Sequence, residues 1–312
     1  MKIILLGLNL LRGKIHMKDK AIRGIAANKQ IRFFAVNSTE TVQTALKSHF
    51  LSVTSTIFLG RMLSAGIMLG MDLKDENSSI TLKVESEGPL QGGTVVSKNK
   101  GKTKGYVKNP QIELEADSTI YGLSIAKAVG SGTMTIIKDL NVKQPFSGQV
   151  ELISGEIAED LAYYFVQSEQ LPSAVGLGLL VNPDASVKSS GGFIVQLMPF
   201  AEEEIIAKLE SNVKKMPNVS DLLDMGKDIE TIVRDFVLKG FDFSVTDETY
   251  PSFSCDCSKE KFWDGMKLLG LVEIQEALLH EGKLEANCHF CNKTYTFDSD
   301  DLHKMIEELK SQ

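Results

Sequence analysis

The sequence predicts an α+β protein with a large mixed core domain, a helical linker and a small C-terminal module that carries four cysteines. Up to residue 199, helical and strand patterns are interspersed without regular alternation, which is typical of α+β rather than doubly wound folds. Amphipathic helical patterns follow, and every cysteine of the 312-residue chain lies after residue 254. We therefore divide the chain into an extension (1–16), a core (17–199), a linker (200–249) and a cysteine module (250–312).

The N-terminal extension superficially resembles a signal peptide. Its apolar run at 1–11 is short, and Arg12 and Lys14 follow in place of a small-residue cleavage site. We interpret residues 1–16 as a leader or an expression extension, with the natural start near Met17. No apolar run is expected to reach transmembrane length.

The core contains strand patterns and two helical stretches. Residues 39–71 are helical in pattern, and their apolar, small-residue part at 59–70 suits a buried helix packed closely on a sheet. Residues 155–167 form the second helical stretch. Glycine punctuates another apolar stretch at 172–181. Strands are predicted at 30–36, 79–85, 93–97, 104–108, 132–138 and 192–198.

The linker carries two apolar helical stripes. The first ends at Pro217, the chain restarts at Ser220 or Asp221, and a second stripe runs over 229–237 until Gly240 stops it. Short amphipathic helices are marginal alone and need a surface to cover. Two interpretations remain open: a permanently docked helical subdomain, or a detachable linker whose docking depends on its neighbours.

The four cysteines occur as two tight pairs, Cys255 with Cys257 and Cys288 with Cys291, thirty residues apart. Two such pairs brought together supply the four sulfurs of a closed tetrahedral zinc site. The C-x-x-C pair has zinc-knuckle spacing, whereas the C-x-C pair crowds two thiolates on alternate residues. A secreted disulfide framework does not fit so few cysteines in so long a chain. We predict one Zn²⁺ per chain.

That zinc is predicted to be structural. A catalytic zinc keeps an open position for water, and four cysteines fill every position. His289 lies inside the knuckle and could compete, but the flanking cysteines are better placed; His280 and His303 are expected to face solvent. Because exposed thiolates oxidise and oxidation ejects the metal, the site is a candidate redox switch. Reduced, metal-bound cysteines indicate a cytoplasmic location.

Charge argues against a nucleic-acid partner. The net charge is −7. Residues 1–199 carry +4 (21 basic against 17 acidic side chains), 200–249 carry −6 (6 against 12), and 250–312 carry −5 (7 against 12). The module therefore lacks a basic face. No glycine pattern in the sequence matches a phosphate-binding loop, so nothing in the sequence supports an ATP-driven activity.

The module itself is predicted to be small. Ser258 is the expected N-cap of a helix to Leu269, a second helix runs to His280, a hairpin spans 284–297 around the knuckle, and a final helix spans 301–310. Because so small a core buries little apolar surface, we expect metal binding to supply much of the folding free energy of the module, on the order of 10 kcal/mol.

The motifs resemble those of a known family. Cys255-Asp256-Cys257-Ser258 with Cys288-His289-Phe290-Cys291-Asn292, after a helical linker, is similar to the redox-regulated chaperones called 33-kDa heat-shock proteins. The resemblance runs from about Met17 to the C-terminus. Further core motifs that resemble this family lie at 59–61, 105–110, 137–139, 154–165, 168–175 and 191–199.

The chain departs from the family pattern at a few positions. Lys104 stands where the family usually has arginine, Ser131 replaces a common glycine, and Ser189-Ser190 replaces a pair of alanines. All are expected to lie in the core and therefore to leave the switch intact. Residues 1–16 have no counterpart in the family.

The resemblance implies an ATP-independent holdase rather than an enzyme. Its reduced, zinc-bound form would be inactive. Oxidation would form Cys255–Cys257 and Cys288–Cys291 disulfides, release zinc, undock the linker and expose apolar surface to unfolded or oxidatively damaged client proteins. The active form would be a homodimer that needs no nucleic acid, membrane or nucleotide, and the core would bind clients and dimerise.

Two alternatives remain. A thiol–disulfide oxidoreductase would use Cys288 and Cys291, but such centres normally follow a strand in a βαβ unit and lack a second cysteine pair. A zinc-ribbon adaptor would bind nucleic acid or protein. The acidic charge of the module disfavours binding to nucleic acid.

Overall fold

The computed structural model describes residues 18–112 and 125–311, and within them the fold is mixed α+β, as predicted. The predicted extension at 1–16 lies outside the described residues. The strands are β1 Lys20–Ala26, β2 Ile31–Asn37, β3 Ser79–Ser86, β4 Gly92–Lys98, β5 Lys102–Val107, β6 Gly132–Asp139, β7 Phe146–Glu151, β8 Ser173–Val181, β9 Val187–Leu197, β10 Phe243–Thr249, β11 Ser252–Phe253, β12 Leu284–Asn287 and β13 Thr294–Phe297. The helices are α1 Thr39–His49, α2 Val53–Gly70, α3 Ala126–Val129, α4 Ala158–Glu169, α5 Glu203–Lys215, α6 Val219–Asp224, α7 Ile229–Ile232, α8 Lys259–Lys267, α9 Leu271–His280 and α10 Ser299–Lys310, with a 3₁₀ turn at Asn99–Gly101 and a π turn at Val233–Val237.

Two large sheets enclose the core. One has five strands in the order β10-β1-β2-β9-β8, all antiparallel. The other has six in the order β11-β5-β4-β3-β6-β7, antiparallel except that the short β11 pairs parallel with β5. The six core strands predicted from the alternating patterns are present, and the glycine-punctuated stretch at 172–181 is strand β8.

Helix α2 lies between these sheets and contacts β8 and β9 on one side and β4 and β5 on the other. Close approach needs its small residues: a Cβ added at Gly66 would lie 2.7 Å from Cγ1 of Val95. By length and composition α2 is apolar enough to cross a membrane, contrary to the sequence expectation. Yet 89% of it is buried inside the protein, as predicted for a core helix.

The predicted helical stretch at 39–71 is in fact two helices. Phe50 adopts a left-handed conformation (φ 51°) that ends α1. Ser52 then caps α2, its Oγ accepting a hydrogen bond from the backbone N–H of Ser55. A phenylalanine in left-handed conformation gives no sequence signal of the kind that glycine gives.

The five-stranded sheet is apolar on both faces. Phe34, Val36 and Ile194 point toward α2, whereas Phe33 and Phe193 point to the opposite face, because successive side chains of a strand alternate. The linker helices cover that opposite face with a set of buried side chains. These are Leu209, Val219, Leu222, Leu223, Ile229, Ile232, Val233, Val237 and Leu238.

The linker segment is helical only in part. Helix α5 ends before Pro217 as expected, and α6 begins at Val219 after the N-cap Asn218, slightly earlier than predicted. The second predicted stripe forms α7 and the π turn. Residues 243–249, however, form strand β10 at the edge of the five-stranded sheet. The sequence predicts a helical linker over 200–249 whose last helix stops at Gly240, and it does not predict the strand that follows.

The cysteine module has its own small core. Helices α8, α9 and α10 pack around the β12–β13 hairpin, and the fully buried side chains are Ile274, Phe297, Leu302 and Met305. Ser258 caps α8 as predicted. The module's helices and hairpin lie where the sequence predicts them, except that the last helix begins earlier, at Ser299 after a capping box on Asp298.

Candidate metal centre

The four cysteines come from two loops. Cys255 and Cys257 lie on the extended segment that follows β11 and precedes α8, and Cys288 and Cys291 lie in the turn between β12 and β13. The turn is tight: the backbone N–H groups of Cys291 and Asn292 both donate to the carbonyl oxygen of Cys288. Both loops therefore point their thiols at one place.

The sulfurs form one compact cluster. All four Sγ atoms lie within 4.8 Å of one another. Cys255 and Cys288 are 3.7 Å apart, and Cys257 and Cys291 are 3.3 Å apart. A tetrahedral ion with metal–sulfur bonds of about 2.3 Å holds its sulfurs about 3.8 Å apart, so the donor set fits a closed four-thiolate metal centre.

The histidines lie elsewhere. The ring of His289 packs against Tyr106 at 5.8 Å between centroids, and His280 and His303 are exposed, as expected. Among the described residues, these four cysteines are the one group of His, Cys, Asp and Glu side chains placed to share a metal ion.

The thiols differ in their surroundings. Burial raises the pKa of Cys255 and of Cys291. Burial would also raise the pKa of Cys257, but hydrogen bonds from the Tyr295 hydroxyl and from the neighbouring thiols lower it to about 7. Cys288 is buried and the other three are partly exposed, so solvent reaches the cluster.

The cluster is attached to the core. Lys104 of β5 lies 2.5 Å from Asp256, the residue between the first two cysteines, and its Nζ sits 4.9 Å from the centre of the Phe290 ring. Side-chain hydrogen bonds from Lys104 and then Lys261 hold the pKa of Asp256 well below its usual range. Lys104 lies in the core, as expected, but its side chain contacts both cysteine loops, so a departure at this position does not leave the surroundings of the cysteines unchanged.

His49 and Tyr106 complete this contact. The Nε2 of His49 is 3.2 Å from the carbonyl oxygen of Phe290, and Tyr106 packs edge-on against the Phe290 ring at 5.4 Å. Burial lowers the pKa of His49. The sequence gives no signal for these contacts, because Phe290 lies 241 residues after His49 and 184 residues after Tyr106.

A second family departure also lies at a junction. The Oγ of Ser189 donates to the carbonyl oxygen of Ser220 in α6, and Ser190 accepts a hydrogen bond from Ser38. The first of these bonds ties the linker to β9. Ser131, by contrast, bonds Glu87 at the surface of the six-stranded sheet.

The chain resembles known proteins over most of its length. Residues 19–298 match the family model described as Hsp33 protein. The 33 kDa chaperonin of Agathobacter rectalis is 43% identical over 289 residues, covering 93% of this chain and all of that protein. The 33 kDa chaperonin of Geobacillus kaustophilus is 41% identical over 298 residues, covering 95% of this chain and all of that one.

A solved structure agrees with these relatives. The crystal structure of the 33 kDa chaperonin (heat shock protein 33 homolog) from Thermotoga maritima superimposes with a TM-score of 0.87 at 33% identity, covering 95% of this chain and all of that one. The chain therefore belongs to the Hsp33 family of heat-shock chaperones.

Proposed function

We propose that the protein is a redox-regulated, ATP-independent holdase whose switch is a zinc ion held by Cys255, Cys257, Cys288 and Cys291. The observation that carries the proposal is the compact cluster of four sulfurs on a small module that contacts the core beside those sulfurs, at His49 and at Lys104. Thiolate ligands favour Zn²⁺, and a closed tetrahedral site holds structure rather than activating water.

Oxidation removes the ligands. A peroxide takes two electrons from each cysteine pair, forming one S–S bond while the peroxide is reduced to water. We propose Cys255–Cys257 and Cys288–Cys291 as the pairs, as the family resemblance implies. A disulfide no longer binds zinc as two thiolates do, so the module loses the ion that stabilises it.

Unfolding of the cysteine module would weaken the docking of the linker on the core. Strand β11 pairs with β5 immediately before Cys255, and β10 lies only two residues before β11. The linker helices bury their apolar side chains against the outer face of the five-stranded sheet. When β10 and β11 separate, that face and the apolar side of the linker become available to unfolded or oxidatively damaged proteins.

The remaining proposals follow the family. The oxidised form would be a homodimer located in the cytoplasm, and it would act on clients without nucleotide, nucleic acid, membrane or catalytic turnover. The oxidoreductase alternative gains no support, because Cys288 and Cys291 lie in a β-hairpin turn and not after a strand of a βαβ unit.

The experiment counts zinc and free thiols before and after peroxide at raised temperature, beside an aggregation assay with a thermally unfolded client. We expect about one zinc per chain to leave as four thiols disappear, with suppression of aggregation only afterwards. Equal suppression in both states, with zinc retained, would reduce the cysteines to a structural role.

A further inference from the structure

Tyr295 is placed beside the cysteine cluster by the β12–β13 hairpin. Its hydroxyl oxygen is 3.2 Å from Sγ of Cys257 and 3.0 Å from the carbonyl oxygen of the same residue, so its single proton is shared between these two acceptors. The side chain is buried, and its ring lies 5.1 Å from that of Phe262 and 5.0 Å from Nζ of Lys293. Packing of the ring therefore fixes the hydroxyl next to Cys257.

This contact makes the four sulfurs unequal. In the part of the chain that the structure describes, no other side chain outside the cysteines donates a hydrogen bond to one of these sulfurs. A hydrogen bond to a thiolate draws on the lone pairs with which the sulfur attacks an oxidant. Partners of this kind around metal ligands tune both the metal and the ligand.

We propose that Tyr295 is a positioning residue that protects Cys257 from oxidation and thereby sets the oxidant level at which the switch opens. The inference rests on the proposed redox function and adds to it a residue that sets its sensitivity. With the hydroxyl in place, Cys257 reacts late; without it, Cys257 becomes the sulfur that reacts early.

The chemistry is that of a hydroperoxide. An electron pair of the Cys257 thiolate attacks one peroxide oxygen, the O–O bond breaks, and the hydroxide that leaves takes up a proton to become water. A second cysteine thiolate then attacks the resulting sulfenic sulfur, an S–S bond forms, and a second hydroxide leaves as water. The first attack is the step that the Tyr295 hydrogen bond slows.

The test compares the full-length, reduced, zinc-loaded protein with Tyr295→Phe, which keeps the ring and removes the hydroxyl. Hydrogen peroxide is added, and position-resolved mass spectrometry follows each cysteine with a sulfenic-acid trap. We expect Cys257 to react roughly threefold to tenfold faster in the variant, with zinc release accelerated to match. Tyr250→Phe is the matched control, since the Tyr250 hydroxyl bonds Glu248, away from the sulfurs.

A second readout separates hydrogen bonding from loosened structure. In the Co²⁺-loaded protein, the sulfur-to-metal charge-transfer band should move to lower energy in Tyr295→Phe, because a sulfur that loses a hydrogen bond holds its electrons less tightly. A merely structural role would speed all four cysteines alike and leave the band in place.

If Tyr295→Phe fails to hold metal, 3-fluorotyrosine in place of tyrosine provides the opposite change. Its hydroxyl is a stronger donor, so Cys257 oxidation should slow. Equal rates of Cys257 oxidation in the unmodified protein and in each metal-loaded Tyr295 variant would overturn the role of Tyr295 while leaving the proposed switch intact. Retention of zinc by the unmodified protein under peroxide would instead overturn the proposed function.

Discussion

Lys104 is one of the residues at which the core contacts the cysteine module. Its ammonium group pairs with Asp256 and lies over the Phe290 ring, so one side chain contacts both cysteine loops. It is largely buried, with 18% of its side chain exposed, whereas Asp256 is 53% exposed. Solvent screening at the carboxylate limits the strength of this pair to about 1 kcal/mol, and the contact with the ring adds a similar amount at most.

Removing this side chain should loosen the module without removing the metal. In Lys104→Ala, the Ser254 amide, which donates to the carbonyl oxygen of Thr103, should exchange its hydrogen roughly fivefold faster, as expected for a loss of about 1 kcal/mol. Native-state hydrogen exchange measures this, with zinc content checked in parallel. The exposed Lys102 on the same strand provides the control, Lys102→Ala. Unchanged exchange in Lys104→Ala would show that β11 is held by other contacts.

The four clustered cysteines could be predicted at this scale, and their neighbours could not. Cysteine spacing is a local pattern, and it is sufficient to identify all four sulfurs that the fold brings together. Tyr295, His49 and Lys104 contact the cluster or its loops only because of how the hairpin, α1 and β5 are packed. Tyr295 had a weak signal, since it follows Cys291 by four residues on a strand with alternating burial.

Among the elements, the linker helices depend on burial rather than on their own length. Helices α6 and α7 have only six and four residues, too short to be stable in isolation. Ile232 is fully buried against the five-stranded sheet. Its side chain is therefore a sensitive point at which to separate linker from core.

Replacing Ile232 by aspartate should undock the linker without any oxidant. An unpaired charge at this site disfavours the docked state by about 3 kcal/mol or more. Ile232→Asp should therefore keep its zinc and its four thiols, yet suppress aggregation of a thermally unfolded client in the reduced state. Ile232→Val, which costs about 1 kcal/mol, is the matched control and should stay inactive until oxidised. If reduced Ile232→Asp does not suppress aggregation, undocking of the linker is not sufficient for chaperone activity.

Element types were more predictable than their limits. The six predicted core strands and the amphipathic helices have periodic burial that a sequence displays. Strand β10 is not predicted because its pattern over 243–249 is short and carries two acidic residues, Asp247 and Glu248, and because its pairing with β1 depends on the tertiary structure. The break between α1 and α2 is not predicted, because in the sequence Phe50 looks like any apolar residue of a helix.

On the scale of the whole molecule, the cysteine module has a hydrophobic core of its own. Its buried core is small, and its helices meet around the hairpin that carries Cys288 and Cys291. The metal is expected to supply on the order of 10 kcal/mol to such a unit, far more than its own apolar burial leaves after conformational entropy.

Removal of the metal should therefore unfold the module while the core persists. Trp263, the one tryptophan in the sequence, packs against Phe297 inside the module and reports on it alone. Under reducing conditions, a strong chelator should shift Trp263 emission to longer wavelength while the far-ultraviolet circular dichroism keeps its strand signal. Readdition of Zn²⁺ should reverse the shift. An unchanged emission spectrum with zinc fully removed would mean that the module folds without its ion.

The pairing of β10 with β1 closes a loop. Residues 198–242 run from the end of β9 to the start of β10, and both ends are held on the same sheet. Fixing the ends of such a 45-residue segment limits its conformational entropy by about 3 kcal/mol. While β10 stays paired, docking of residues 198–242 on the sheet costs less conformational entropy, because both ends of the segment are already fixed. Once β10 separates, only the end that follows β9 stays fixed to the sheet. We therefore expect the linker and its terminal strand to separate from the sheet together, and we expect the length of the closed segment to set how sharply the proposed switch responds.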